Sequence, residues 1–411
     1  MGHAVTLYEM ADCLGGRARQ IEAGDDPSEP VLDNGQHILI GAYTETLRLL
    51  AIIGVDAARA FVRLPLTLCY PDGEGLRLGP GRPAVAFARA VLDRGGWSYA
   101  QRWAMLAAAA GWGARRFRCP AHWTVDRLAR RLPVAVRRDL IAPLCVAALN
   151  TPASQASAST FLRVVRDALF SGAGSSDLLL PRLRLGDLLP NPAHAWLIEA
   201  GAVVRCRKRV QVLERCAHGW TIDSRSFDAV VVATSAEEAA RLTAPVDRDW
   251  ARTPARLTYE PIVTVYLQAR GTRLPSPMLL LRSNERDRPA QFVFDLGQLG
   301  GPAGLLAFVI SGAAKWVEAG RDATQAAVFA QARAELRLPA AVDLRALRLV
   351  AVKRATFRCT PGLDRPAGRI APGLYAAGDY VSGPYPATLE GAVRSGVAAA
   401  WAIDAAPRHP S

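Results

Sequence analysis

The sequence predicts an α/β fold in which one parallel-sheet domain is assembled from three separated segments and interrupted by a second, α+β domain. Three observations carry this reading. Short β-branched strands with glycine turns recur at residues 1–45, at 195–240 and in the late stretch "GLYAAGDYVSGPYPATLEGAVRSGVAAAWAI". Residues 85–170 are rich in Ala, Leu, Arg and Trp with few turn signals, and so read as a helical block. Residues 258–358 supply the strands "PIVTVYLQA", "AQFVFDL", "GLLAFVIS" and "LRLVAVKRATF". The first domain is expected over 1–48, 190–245 and 362–411, and the second over 49–189 and 246–361.

A chain of 411 residues, half of them hydrophobic, can bury a sizeable core. Its net charge of +13 is carried almost wholly by arginine, with Lys208, Lys315 and Lys353 the only lysines. The arginines are scattered and form no long basic block, so no nucleic-acid partner is expected. Seven widely spaced cysteines without a Cys-x-x-Cys pair argue against a disulfide framework or a metal site and suit a reducing cytoplasm. No apolar run reaches the roughly 18 residues of a membrane span.

The first segment opens with Val5–Tyr8, closed by Glu9 and followed by Gly15, Gly16 and Arg17. An acid ending a strand can accept hydrogen bonds from ribose hydroxyls. Glycines let backbone approach a phosphate, which a guanidinium pairs bidentately. This is the pattern that follows the phosphate-binding turn of a dinucleotide unit, yet no Gly-x-Gly-x-x-Gly occurs anywhere in the chain. The first strand, turn and helix are expected to be absent. On that expectation Gly2 is a helix-capping residue, the Val5–Tyr8 edge is exposed, and this chain holds little cofactor.

Next comes "LDNGQHIL", where Asp33, Asn34 and Gly35 form a turn beside Gln36 and His37. His37 is the one histidine near a candidate site. The stretch 97–123 holds Trp97, Trp103, Trp112, Phe117 and Trp123 with Arg102, Arg115, Arg116 and Arg118. It reads equally as a buried helix with a basic end or as an interfacial helix. In the middle segment, "AVVRCRKRVQVLE", "GWTIDS" and "DAVVVAT" read as three successive strands, with Val210 on the first.

The late segment is the most specific. Leu374–Ala377 is a buried strand ended by Gly378 and Asp379, and a helix begins near Ala387 and Thr388. Leu389, Ala392, Val393, Val397, Ala400 and Trp401 fall on one helical face, expected to be buried. Asp379 suits a ribityl or ribose hydroxyl. The helix N-terminus would favour negative charge at one edge of a flavin, and Glu390 in the first turn suits that dipole or is merely solvated.

Taken together, "GGRAR", "DNGQH", "DAVVVAT" and "YAAGDYVSGPYPATLEGAVRSG" resemble the FAD-dependent amine-oxidase and phytoene-desaturase superfamily. "PLCVAALNTP", "DNGQHILIGAY" and "PYPATLEGAVRSG" are similar to its squalene-associated branch, the hydroxysqualene dehydroxylases of bacterial hopanoid synthesis. The resemblance runs from Gly2 to about Asp404. It implies a Rossmann-like FAD-binding domain and makes Glu9, Arg17, Gly35, Val210 and Asp379 FAD contacts. With them go Gly15, Gly16, Asn34, Gly378, Ala387 and Thr388.

It further implies reductive removal of an allylic hydroxyl from an apolar triterpenoid, by FAD reduced by an unidentified donor. The leaving oxygen needs a proton, for which His37, Tyr385 and Asp295 are candidates. A dry slot is expected near Val263 and Phe308. The implied location is the cytoplasm, with peripheral contact on the inner face of the membrane through residues 97–123. Carotenoid or amine oxidation on the same scaffold, or a flavin-less lipid-binding role, are the rival readings.

Overall fold

The computed structural model describes residues 2–21, 30–284, 286–339 and 341–405, so the expected domain ends at Met1 and 406–411 lie outside the described residues. The three segments meet in parallel pairs. Thr6–Tyr8 lies along Val203–Arg205, and Val230–Val232 lies along Leu374–Ala376, whose other edge pairs antiparallel with Arg369–Ala371. Leu374, Tyr375 and Ala376 are all buried, which explains why this strand reads as an unbroken apolar run. Among the described residues Thr6–Tyr8 pairs on one side only, and Val5 is exposed.

The middle segment differs from expectation in one respect. "AVVRCRKRVQVLE" is two strands, Val203–Arg205 and Leu213–Cys216, separated at Arg207, whose φ of 55° breaks the extended run. Val210 therefore lies between strands rather than on one.

The second lobe holds a five-stranded antiparallel sheet in the order Met278–Leu280, Phe292–Asp295, Leu305–Ser311, Tyr259–Ala269, Leu344–Phe357. Successive side chains on Tyr259–Ala269 face opposite ways. Val263, Val265 and Leu267 join Phe308, Ile310, Val328 and Ala332 in a closed core beneath the helix Arg321–Glu335. Tyr266 faces the main core instead. A register shift falls between Glu260 and Ile262, where Pro261 has no N–H to give to the ladder.

The helical block is present as expected: Pro83–Leu92, Tyr99–Ala114, Ala142–Leu149 and Ala158–Phe170 are its main members. Ser98 and Gln101 close a reciprocal cap at the start of Tyr99–Ala114. A widened turn over Arg137–Ile141 precedes Pro143, whose ring cannot follow a regular α turn. Across the first lobe, helix Thr44–Ile52 packs on helix Leu389–Asp404.

Candidate functional site

The ends of the first and third segments meet at Arg17 and Asp379. Arg17 Nη2 donates to Asp379 Oδ2 at 2.6 Å and Nη1 donates to the Ala355 carbonyl at 2.5 Å. Gly15, at φ +115°, has no room for a side chain, since a Cβ would sit 2.7 Å from the Ala18 carbonyl and from Pro190. Gly16, at φ +57°, is needed for its backbone conformation alone, with open space around it. Glu9 ends its strand as expected, and its carboxylate accepts the Ala11 N–H at 2.7 Å.

The 33–37 turn is fastened to the same place. Asn34 Nδ2 donates to the Arg17 carbonyl at 3.2 Å, and its N–H donates to the Arg19 carbonyl at 2.9 Å. From the sheet, the Tyr266 hydroxyl donates to the Asp33 carbonyl at 2.9 Å. A Cβ on Gly35 would meet only Thr264 Oγ1, at an ordinary 3.9 Å, so nothing in the chain itself demands a glycine there. Burial first, and then the Arg17 guanidinium, lower the His37 pKa to about 4. The imidazole is therefore neutral at pH 7, and its buried Nδ1 has no hydrogen-bond partner among the described residues. Burial pushes Asp33 the other way, up to about 6, against the Leu185 N–H that its carboxylate accepts.

On the third segment, the Gly378 N–H donates to Ser395 Oγ at 2.8 Å, and the Asp379 carbonyl accepts the Ala387 N–H at 3.2 Å. Ala387 holds φ +56°, a conformation L-residues rarely adopt, just before the helix. Thr388 is the N-cap, accepting the Gly391 N–H at 3.0 Å. The buried face of that helix is not the one the apolar spacing indicates. Trp401 is 62% exposed and Ala400 is exposed, whereas Glu390 is fully buried. Its carboxylate takes the N–H groups of Glu45 and Thr46 at 3.1 and 2.9 Å and pairs with Arg394 Nε at 2.7 Å. Glu390 thus caps helix Thr44–Ile52 from a distant part of the chain, a role missed by the sequence reading. Its only sequence signal was the i, i+4 spacing to Arg394.

The three proton-donor candidates are not brought together. The Tyr385 hydroxyl donates to Asp167 Oδ2 at 2.8 Å, and burial with that carboxylate holds its pKa above the ordinary tyrosine value. Asp295 accepts from Leu274 N, Gly297 N and Gln298 Nε2 at 2.9, 3.1 and 2.7 Å and caps a short 3-10 turn, so it is structural rather than an acid. The Val210 carbonyl is taken by Arg241 Nη2 at 2.6 Å. The apolar slot is also elsewhere, because Val263 and Phe308 point into the closed core under helix Arg321–Glu335. A cavity of about 310 Å³ lies instead in the helical block, among Leu68, Phe87, Met105, Phe161 and Leu169. Within the aromatic stretch, Trp97 and Trp112 are buried, and only Trp103 and Tyr99 stand well out from the surface. Among the described residues no helix is long and apolar enough to cross a membrane.

The profile of flavin containing amine oxidoreductases matches residues 1–404. The chain belongs to that family. Proteins named hydroxysqualene dehydroxylase are among its similar relatives. One from Sinorhizobium fredii is 25% identical, over 97% of this chain and 92% of its own length. Another from Rhodopseudomonas palustris is 27% identical, over 99% and 94%. An oxidoreductase from Methanosarcina mazei shares the fold at a TM-score of 0.70 and 14% identity, covering 98% of this chain and 94% of that one. Cyclohexylamine oxidase from Brevibacterium oxydans does so at 0.64 and 18%, covering 98% and 93%. The α/β, Rossmann-like class and the oxidoreductase family expected from sequence both hold.

The residues present fit the family's flavin. Two buried polar atoms have no hydrogen-bond partner among the described residues: His37 Nδ1, which feels the Arg17 charge, and the hydroxyl of Tyr380, the residue after Asp379. Gly35 and Gly16 leave backbone uncovered beside them. The helix capped by Thr388 begins beside Asp379, whose carbonyl accepts the Ala387 N–H, and a helix N-terminus favours negative charge.

Proposed function

We propose that the chain is an FAD-dependent oxidoreductase that removes the hydroxyl of hydroxysqualene to give squalene. The observation that carries this reading is the near full-length match to relatives bearing that activity's name. The apolar cavity in the helical block supports it, since a polyene needs a dry wall rather than charged partners. When bound and reduced, FAD supplies the hydride. The substrate's C–O bond breaks as a C–H bond forms, and the hydroxyl takes one proton and leaves as water.

The chain's own residues have three tasks. Glu9, Arg17 and Asp379, with the glycines at 15, 16, 35 and 378, hold the cofactor; Asn34, Ala387 and Thr388 fix the backbone around it. His37, neutral and buried, gives this site a polar group that carries no charge at pH 7. Tyr385 ties the cavity helix Ala158–Phe170 to the cofactor helix through Asp167 and so positions one against the other.

Anaerobic incubation of the flavin-loaded, reduced enzyme with hydroxysqualene, followed by lipid extraction, is expected to yield squalene. No squalene from such enzyme overturns the assignment. Turnover of phytoene or of an amine by the oxidised, flavin-loaded enzyme, with an electron acceptor supplied, would instead favour one of the rival oxidations.

A further inference from the structure

The cavity in the helical block reaches the surface. Two of its lining residues, Ala110 and Phe170, are exposed, the latter at 56%. Phe170 stacks at a tilt on Phe117, with ring centroids 5.0 Å apart, at the cavity's edge. Along helix Tyr99–Ala114, Tyr99, Trp103, Leu106 and Ala110 follow one another at helical spacing on a single stripe. Leu106 and Ala110 line the cavity, while Tyr99 and Trp103 continue the stripe outward at 79% and 63% exposure. Such large exposed aromatics grouped at the mouth of an apolar cavity are costly in water unless something covers them.

The charge around the mouth says what covers them. Between residues 82 and 125 there are seven arginines and a single acid, Asp93; of the seven, Arg94 is buried and paired with Glu74, which leaves six. Arg115, Arg116 and Arg118 are all exposed and bracket Phe117 in the turn that closes the helix. Aromatic rings beside unopposed arginines match a bilayer interface, where rings sit at headgroup level and guanidinium groups meet lipid phosphates.

We propose that this face of the helical block docks on an anionic lipid bilayer, seating the cavity mouth so that an apolar chain passes from the hydrocarbon into the cavity. The docking stands on the surface alone; the passage of substrate rests on the reading that the enzyme acts on a triterpenoid.

Flotation of the full chain with vesicles tests the docking. It is expected to float with vesicles of equal parts phosphatidylglycerol and phosphatidylcholine, far less with phosphatidylcholine alone, and less again as salt is raised. The variant Trp103→Ser/Phe170→Ser, at exposed positions, is expected to bind about tenfold more weakly. Each surface arginine near the lipid is worth about fivefold, so Arg115→Glu/Arg116→Glu/Arg118→Glu is expected to lose about a hundredfold. A wild-type chain that ignores anionic vesicles, or binding unchanged in both variants, overturns the proposal. For the cavity, diphenylhexatriene is expected to fluoresce on binding the wild type and not Ala109→Trp, which still floats. Equal fluorescence from both overturns the cavity's part in it. None of these measurements involves turnover, so their failure is distinct from a failure to form squalene.

Discussion

Arg17 and Asp379 lie 362 positions apart in sequence and 2.6 Å apart in space, joined by a charge-assisted hydrogen bond. The guanidinium side is 44% exposed and the carboxylate side 12%. Such a half-exposed pair adds little to stability. Its value is positional, since it fixes the relation of the Gly15–Gly16 turn to the end of the Leu374–Ala376 strand.

Asp379→Ala is therefore expected to leave the melting temperature nearly unchanged and to weaken FAD binding. A charge-assisted bond is worth roughly 1.5–3 kcal/mol, or about ten- to a hundredfold in affinity. Titration with FAD followed by flavin fluorescence measures it; equal affinity would remove Asp379 from the cofactor site.

Glu390→Ala should behave in the opposite way. It strips two helix N–H groups of their fully buried acceptor, while Arg394, 34% exposed, keeps only Thr44 Oγ1 as a hydrogen-bond partner among the described residues. Losing the charged acceptor of two helix N–H groups costs about 1.5–3 kcal/mol. Denaturant unfolding should show the loss; a variant as stable as the wild type would mean that helix Thr44–Ile52 finds another cap.

Tyr385→Phe separates positioning from acid catalysis. Asp167 keeps Arg163 and Arg166 as partners, so the cost to stability is about 1–2 kcal/mol. Squalene formation is expected to fall by only a few-fold. Loss of a true general acid removes about a hundredfold or more, and a drop of that size would restore Tyr385 as the donor.

His37 and Asp33 impose opposite pH dependences on stability. His37 titrates near 4 in the fold against 6.5 unfolded, so between those values the unfolded chain binds more protons. Its contribution is full above pH 6.5 and is lost as pH falls toward 4, on the order of 3 kcal/mol. Asp33 titrates near 6 in the fold against 3.8 unfolded, so here the folded chain binds more protons and is stabilised as pH falls through the same window. The two largely cancel. Relative to the wild type, His37→Asn is expected to gain stability between pH 6.5 and 4 and Asp33→Asn to lose it. Parallel pH profiles for all three proteins would contradict both assignments.

Local chemistry made the architecture legible from sequence. Runs such as "PIVTVYLQA" and "GLLAFVIS" carry their strand character in their own side chains. The end of the Leu374–Ala376 strand and the Thr388 cap are written in residues a few positions apart. The sequence by itself thus determined the fold class and the segments whose strands pair in the first lobe, and it pointed to the glycine, arginine and aspartate positions proposed to hold a flavin.

Only the tertiary structure decided which of those residues touch. Apolar spacing pointed to Trp401 as buried, but burying Glu390 satisfies two helix N–H groups and a guanidinium, and that outweighs an apolar stripe. Asp295 looks like an acid until three donors from its own turn and a neighbouring loop are seen to occupy it. Val263 and Phe308 look like substrate walls until the sheet's pleat turns them toward helix Arg321–Glu335. In each case the deciding partner is distant in the chain or set by the sheet's facing, and neither is encoded in the spacing of neighbours.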